Sequence, residues 1–294
     1  MLVTGANKGI GLAIVTAILE DHADTFVYLG SRDLDRGRAA AASLTQAHPD
    51  WQTRIEVVGL DVGDKRSVAD AAKHIAAHTT EKLYGLVNNA GISGGSEPTL
   101  ADVFEVNTLG VQRVCETFLP LLDSTHGRIV NVTSAAGPLF VASCSAAMQR
   151  FFLDDQITWP RLEAFIHECI ATGSDEAAFA AKGLAGGAAY GLSKACTNTY
   201  TLLLARACSE SKPGLRVNAC TPGFIETDMT RRLAESQGKA PSELGMKPPS
   251  AGAKAPIFLL FGELEGNGRF YGSDAQRSPL DRYRAPGSAP YTGS

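Results

Sequence analysis

The sequence predicts an α/β fold: a doubly wound parallel sheet, or Rossmann fold, of about seven strands with helices on both faces. Three observations predict it. Short apolar runs alternate with amphipathic stretches along the chain. The runs are apolar nearly throughout, as strands covered on both faces require. A glycine-rich turn, "TGANKGIG" (4–11), joins the first run to the first amphipathic stretch.

The elements follow in order. "MLVTG" (1–5) is expected as a strand ending in a turn, and "GLAIVTAILEDH" (11–22) as a helix. "TFVYLG" (25–30) is the second strand, and "DLDRGRAAAASLTQAH" (33–48) a helix with an alanine-rich interior. A third strand is expected over 53–62 and a helix over 66–78. "LYGLVNNAG" (83–91) is a fourth strand running into a turn. A long helix over 100–122 leads to a fifth strand, "GRIVNVTS" (127–134). A helix over 190–208, a sixth strand over 215–223 and a seventh at "GRFYG" (268–272) complete the pattern.

One catalytic domain is expected over 1–272. Two segments stand outside its alternation. Residues 138–187 interrupt the passage from strand five to the Tyr190 helix. Within them, apolar residues at 162, 165, 166, 169 and 170 form a helical stripe, with Thr158 placed to cap it and Pro160 in its first turn. This segment is expected to be a helical cover or lid. The tail over 273–294 is rich in Pro, Gly and Ser, and is expected to be flexible or loosely laid on the surface.

Composition narrows the function classes. The chain has 294 residues, is 44% hydrophobic and carries a net charge of −4, so neither nucleic acid nor an anionic membrane is an expected partner. Its six cysteines are scattered without a C-x-x-C pair, against a zinc site or a disulfide scaffold. Free thiols in a reducing compartment, the cytoplasm, are expected. No metal is expected. No run of 18 apolar residues and no signal peptide are evident. Only three residues precede Thr4, so a short first strand is expected.

Glycines 5, 9 and 11 clear the side chains that would block a close-approaching phosphate, and the helix that follows offers amide donors and a positive dipole end. NAD sites place an acidic residue after the second strand. Here the stretch is "YLGSRD": Ser31 takes the acidic place and Arg32 follows. A guanidinium suits a 2′-phosphate, and Lys8 is a second cation able to reach it. Both point to NADP(H), with Asp33 nearby weakening the preference.

"AAYGLSKA" (188–195) sets Tyr190 four positions before Lys194, on one helical face. A neighbouring ammonium lowers a phenol's pKa, so the pair is either a tuned general acid or two unrelated side chains on a solvated helix.

Together, "TGANKGIG", "NNAG" (88–91), "NVTS" (131–134), "YGLSK" (190–194) and "TPGFIETDM" (221–229) resemble, in order, the motifs of the short-chain dehydrogenase/reductase family. The resemblance covers roughly 1–137 and 188–272. It implies Tyr190 as catalytic acid, Lys194 lowering its pKa and binding the nicotinamide ribose, and Ser134, rather than Thr133, polarising the substrate carbonyl. Asn107 would complete a proton relay through water. The turn residues Gly5, Asn7, Lys8, Gly9, Ile10 and Gly11 would bind cofactor with Arg32. Asp61 and Val62 would flank the adenine, although Asp61 also suits a helix N-cap. Asn88, Ala90 and Gly91 would line the cofactor cleft, and Pro222, Gly223, Ile225 and Thr227 would hold carboxamide and pyrophosphate.

Ser134 and Tyr190 stand 56 positions apart, far more than in the family's short members. An insertion here resembles the monomeric NADPH-dependent carbonyl reductases. It would cover the apolar surface that short members use to assemble, so a monomer is expected. The implied activity is NADPH-dependent reduction of an aldehyde, ketone or quinone. Its pocket would be lined by Phe224, Met229, Ile92 and parts of the insertion. A dedicated biosynthetic alcohol dehydrogenase and a non-catalytic NADP(H) sensor are the alternatives. The stretch 231–250 reads as a mobile substrate loop or plain surface.

Overall fold

A computed structural model describes residues 1–93, 98–173, 175–186 and 189–293. The expected insertion boundary at 187, and Ala188 of the tyrosine motif, lie outside the described residues. The order is β1 (Leu2–Val3), α1 (Gly9–Asp21), β2 (Val27–Ser31), α2 (Leu34–Ala47), β3 (Ile55–Gly59), α3 (Lys65–His78) and β4 (Gly85–Asn88). Then come α4 (Leu100–Phe104), a π-helical turn (Glu105–Leu109), α5 (Gly110–Phe118) and β5 (Arg128–Val132). The insertion holds α6 (Ala136–Ala142), α7 (Ala146–Phe152), α8 (Trp159–Thr172) and α9 (Glu176–Ala181). The chain closes with α10 (Ala189–Ser211), β6 (Arg216–Cys220), α11 (Asp228–Ser236), α12 (Pro249–Phe261), β7 (Phe270–Tyr271) and β8 (Arg277–Ser278).

The strands form one sheet in the order β3-β2-β1-β4-β5-β6-β7-β8, parallel except for the last pair. Every residue of β2 and β4 is buried, because helices cover both faces. One apolar core joins the sheet to α3, α5, α10 and the insertion; the other joins it to α1 and α12. Chain order reverses between β1 and β4, which opens a crevice at their carboxyl ends.

Helix α10 is buried along most of its length although many of its residues are polar. Its hydroxyls bond both along the helix and sideways. Thr197 donates to Ser193 O (2.9 Å) and Asn107 O (2.7 Å). Thr199 donates to Ala195 O (3.1 Å) and Phe152 O (2.9 Å). Burial without these partners would cost a few kcal/mol per group.

The insertion is a helical layer. Phe152, Ile157, Leu162, Ile166, Cys169 and Phe179 are buried in the same core as Tyr200 and Leu204 of α10. Thr158 is the residue before α8 but makes no side-chain cap, while Pro160 lies in the first turn as expected.

Several expectations need correction. The helix expected over 100–122 runs through α4, the π-helical turn and α5 without a gap and ends in a short 3₁₀ turn carrying Pro120, which cannot donate within a helix. The described residues form eight strands where about seven were expected. The stretch 231–250 overlaps α11, a 3₁₀ turn and the start of α12. Within the tail, β8 pairs antiparallel with β7, and Arg277 donates to Gly293 O (2.5 Å). Arg284 donates to Arg277 O (3.0 Å) and Ser288 O (3.0 Å) and pairs with Asp274. A buried guanidinium with its donors engaged holds in place a segment whose composition alone reads as mobile.

Candidate active site

The crevice begins at the turn after β1. Gly5 has φ +61, and a β-carbon there would lie 2.9 Å from Ala90 Cα, so two backbones meet across the crevice floor. Thr4 and Asn89 fasten them: Thr4 Oγ1 accepts from Asn89 N and Ala90 N (both 3.0 Å), and Asn89 Nδ2 donates to Thr4 O (2.9 Å) and Gly5 O (3.1 Å). Sequence reading missed Asn89, although it sits inside the quoted "NNAG". Helix α1 starts at Gly9 with no side-chain cap and no acidic residue in its first turn. Its amide donors are thus left to a ligand, and the crevice fits a dinucleotide's phosphates.

The other expected cofactor residues divide. Asn7, Gly9 and Gly11 lie in the turn, and Gly9 faces Thr227 across the crevice. Arg32 is exposed at the end of β2, with no ion pair among the described residues. Asp33 caps α2 through Asp35 N and Arg36 N (both 3.1 Å), which occupies its carboxylate. Lys8 is ion-paired with Asp228 at the surface. Asp61 does not cap α3; Asp64 does, and Asp61 instead accepts from Gly63 N (3.0 Å). Val62 is buried, its carbonyl taking a bond from Arg113 (2.5 Å). Asn88 points into the protein, donating to Asn131 Oδ1 (2.8 Å) rather than lining the crevice with its side chain. The side chains of Ile10 and Ile225 pack toward Gly252 of α12.

Ser134, Tyr190 and Lys194, expected to be catalytic, lie together at the carboxyl end of β5. Tyr190 and Lys194 share a face of α10, with Lys194 Nζ 5.6 Å from the centre of the Tyr190 ring. Lys194 is buried and donates to Val132 O (3.3 Å). Burial brings its ammonium down to about 8. A β-carbon on Gly91 would lie 3.2 Å from Asn107 Oδ1, a tight approach, and 3.4 Å from that nitrogen. Burial pushes the Tyr190 phenol up, with the nearby Ser134 hydroxyl pulling the other way. Lys194 is not among the causes of that shift, so the expected lowering of the Tyr190 pKa by the ammonium is not seen here.

Ser134 is half-buried with Oγ accepting from Ala136 N (3.1 Å), whereas Thr133 is buried and donates to Cys220 O (3.3 Å). Asn107 is fully buried in the π-helical turn, a backbone form that often marks functional sites. Its amide accepts from Ile92 N (2.9 Å) and donates to Ile92 O (2.8 Å) and Ser193 Oγ (3.0 Å). Asn107 thus ties the crevice wall to α10 from within.

A cleft of about 530 Å³ opens beside Ser134. Phe224, Pro222 and Gly223 line it, as does the tail through Ser273, Asp274 and Tyr283. Among the described residues, Met229, Ile92 and the insertion are not in the lining of this cleft, and the insertion packs on α10. The tail's share had no signal in its composition.

The short chain dehydrogenase family model matches residues 1–147 and 170–238. The gap between them holds most of α8. Carbonyl reductase (NADPH) 3 of Rattus norvegicus is 34% identical over 262 residues, covering 85% of this chain and 91% of its own. Carbonyl reductase (NADPH) 1 of Homo sapiens is 33% identical over 270 residues, covering 88% and 89%. Among solved structures, salutaridine reductase from Papaver somniferum superposes with a TM-score of 0.73 at 25% identity, covering 92% of this chain and 98% of its own. The NADPH-bound carbonyl reductase from chicken fatty liver gives 0.65 at 22% identity over 97% of both chains, a likeness of fold.

Proposed function

The chain belongs to the short chain dehydrogenase family, and from that premise we propose that it reduces an aldehyde, ketone or quinone to the alcohol with NADPH. The observation that carries this is the meeting of Ser134, Tyr190 and Lys194 at the carboxyl end of β5, with the Ser134 hydroxyl bonded to the Tyr190 phenol and Lys194 held on Val132 O. When bound, NADPH supplies a hydride to the carbonyl carbon. The chain does the rest. Ser134 Oγ donates to the carbonyl oxygen and steadies the charge that develops there. Tyr190 Oη delivers its proton to that oxygen, and Lys194 stabilises the phenolate left behind. Asn107 holds Ile92 and α10 in register beside them.

The turn residues Gly5, Asn7, Gly9, Ile10 and Gly11 would hold the diphosphate. Arg32 would bind the 2′-phosphate, joined by Lys8 if it leaves Asp228. Asp61 and Val62 would serve the adenine, Asn88, Ala90 and Gly91 the cleft floor, and Pro222, Gly223, Ile225 and Thr227 the nicotinamide side. The insertion covers the apolar face of α10, which supports a monomer. Six buried free cysteines support a reducing compartment such as the cytoplasm. Among the described residues no helix is long and apolar enough to cross a membrane.

The test is nicotinamide absorbance with NADPH and NADH against quinones, aromatic aldehydes and diketones, repeated on Tyr190→Phe. Turnover with NADPH, lost in the variant while cofactor binding persists, is the expected result. Unchanged turnover in Tyr190→Phe would sink the mechanism. Tight NADPH binding without turnover of any carbonyl would favour a sensor.

A further inference from the structure

Three charged side chains line the cleft beside Ser134: Lys247, Lys254 and Asp274. They are not equivalent. Asp274 is paired with Arg284, whose side chain is 7% exposed, and also accepts from Gln276 N (3.2 Å). The side chains of Lys247 and Lys254 make no ion pair or hydrogen bond among the described residues. The cleft's one carboxylate is thus spoken for, and two ammonium groups stand uncompensated in a chain of net charge −4. A cleft with apolar walls focuses such charge. Phe224, Pro222, Ala251 and Pro286 supply those walls, and the half-buried Tyr283 supplies a phenol.

We infer that the cleft selects a carbonyl substrate that also carries a carboxylate, which Lys247 and Lys254 bind while the carbonyl meets Ser134. This rests on the reductase reading above. The volume of about 530 Å³ suits a small ring-bearing molecule. Arg284 is a positioning residue here. It donates to Arg277 O (3.0 Å), Ala285 O (3.2 Å) and Ser288 O (3.0 Å), and so holds the tail across the cleft. It also keeps the Asp274 carboxylate from neutralising the lysines. Ala275, beside Asp274, is the one described non-glycine residue with positive φ, at 66°. The turn that presents Asp274 to Arg284 is therefore held against a local preference.

The test uses 4-formylbenzoate and its methyl ester, which share ring and aldehyde and differ in charge. The expected kcat/KM ratio of acid to ester is about 10 or more, falling toward 1 in Lys247→Gln/Lys254→Gln and on raising salt. The NADPH dissociation constant should hold in that variant; a weakening equal to the loss of the acid would assign the lysines to the cofactor's phosphates and overturn the proposal. Arg284→Gln should lower the ratio by freeing Asp274, and adding Asp274→Asn should restore it. An ester as good as the acid, or a ratio indifferent to the lysines, overturns the proposal while leaving the reductase intact. Should neither aldehyde be reduced, calorimetry on the NADP-loaded protein still decides: binding of the acid and not the ester keeps the subsite and rejects the reductase, and equal or absent binding rejects the subsite.

Discussion

Replacing Lys194 by methionine removes an ammonium that the fold holds in its interior. The side chain is 4% exposed, so solvent screens it little. Burial lowers its pKa from 10.5 to about 8. At 1.36 kcal/mol per tenfold in the proton equilibrium, keeping the charge at neutral pH costs the fold about 3 kcal/mol. The hydrogen bond to Val132 O at 3.3 Å returns about 1 kcal/mol. Lys194→Met should therefore be more stable by about 2 kcal/mol at pH 7. The sign of the pH dependence follows from proton binding. Between about 8 and 10.5 the unfolded chain binds this proton more tightly than the folded one, so the parent gains stability as pH rises and the variant does not. Urea melts of cofactor-free protein from pH 7 to 10.5 read the gap, which should be constant below about 8 and close above it. A gap independent of pH, or a variant less stable at pH 7, would refute the account of Lys194 as a desolvated cation. Turnover adds a second reading: reductive kcat/KM should fall above about pH 8 as the ammonium is lost.

Arg32→Glu should weaken NADPH about tenfold to a hundredfold and leave NADH unchanged, read by fluorescence titration, since a charge-assisted contact to phosphate is lost. Asp228→Asn should tighten NADPH a few-fold at low salt, because Lys8 no longer has to leave a partner; the exposed pair itself is worth at most about 1 kcal/mol. Ile166→Ala should destabilise the chain by about 2–5 kcal/mol in urea melts, as Ile166 is fully buried between the insertion and α10. Ala275→Gly should raise stability by about 1 kcal/mol by relieving the positive φ, and a loss would show that the turn is unstrained.

Much of the fold was legible because its signals are local. Continuous apolar runs announced the strands, and the glycine turn announced the crevice. Tyr190 and Lys194 were found by helical spacing, and Ser134 by its place at the end of a strand. What was missed depends on contacts distant in sequence. Asn89 looks like any turn asparagine until β1 is brought beside it. The tail looks unstructured because its order comes from one guanidinium, Arg284, reaching backbone that composition does not announce. The direction of the Tyr190 shift could not be read from spacing, since spacing gives the neighbouring ammonium but not the depth at which both groups lie. The insertion's apolar stripe is legible from its spacing, but its packing partner, α10, lies distant in sequence and is not.

The hydroxyls of α10 have a mechanical consequence. An apolar helix in an apolar core can rotate or slide among packings of similar energy. Thr197, Thr199 and Ser193 allow no such freedom, because each has a partner on another element: Asn107 O, Phe152 O and the Asn107 amide. Turning the helix by one residue, about 100°, would break all three at once in a dry interior. The polar side chains thus act as keys on a shaft. They fix the angle and height at which Tyr190 and Lys194 are presented at its amino end, so small losses of packing elsewhere should loosen the protein without misaligning them.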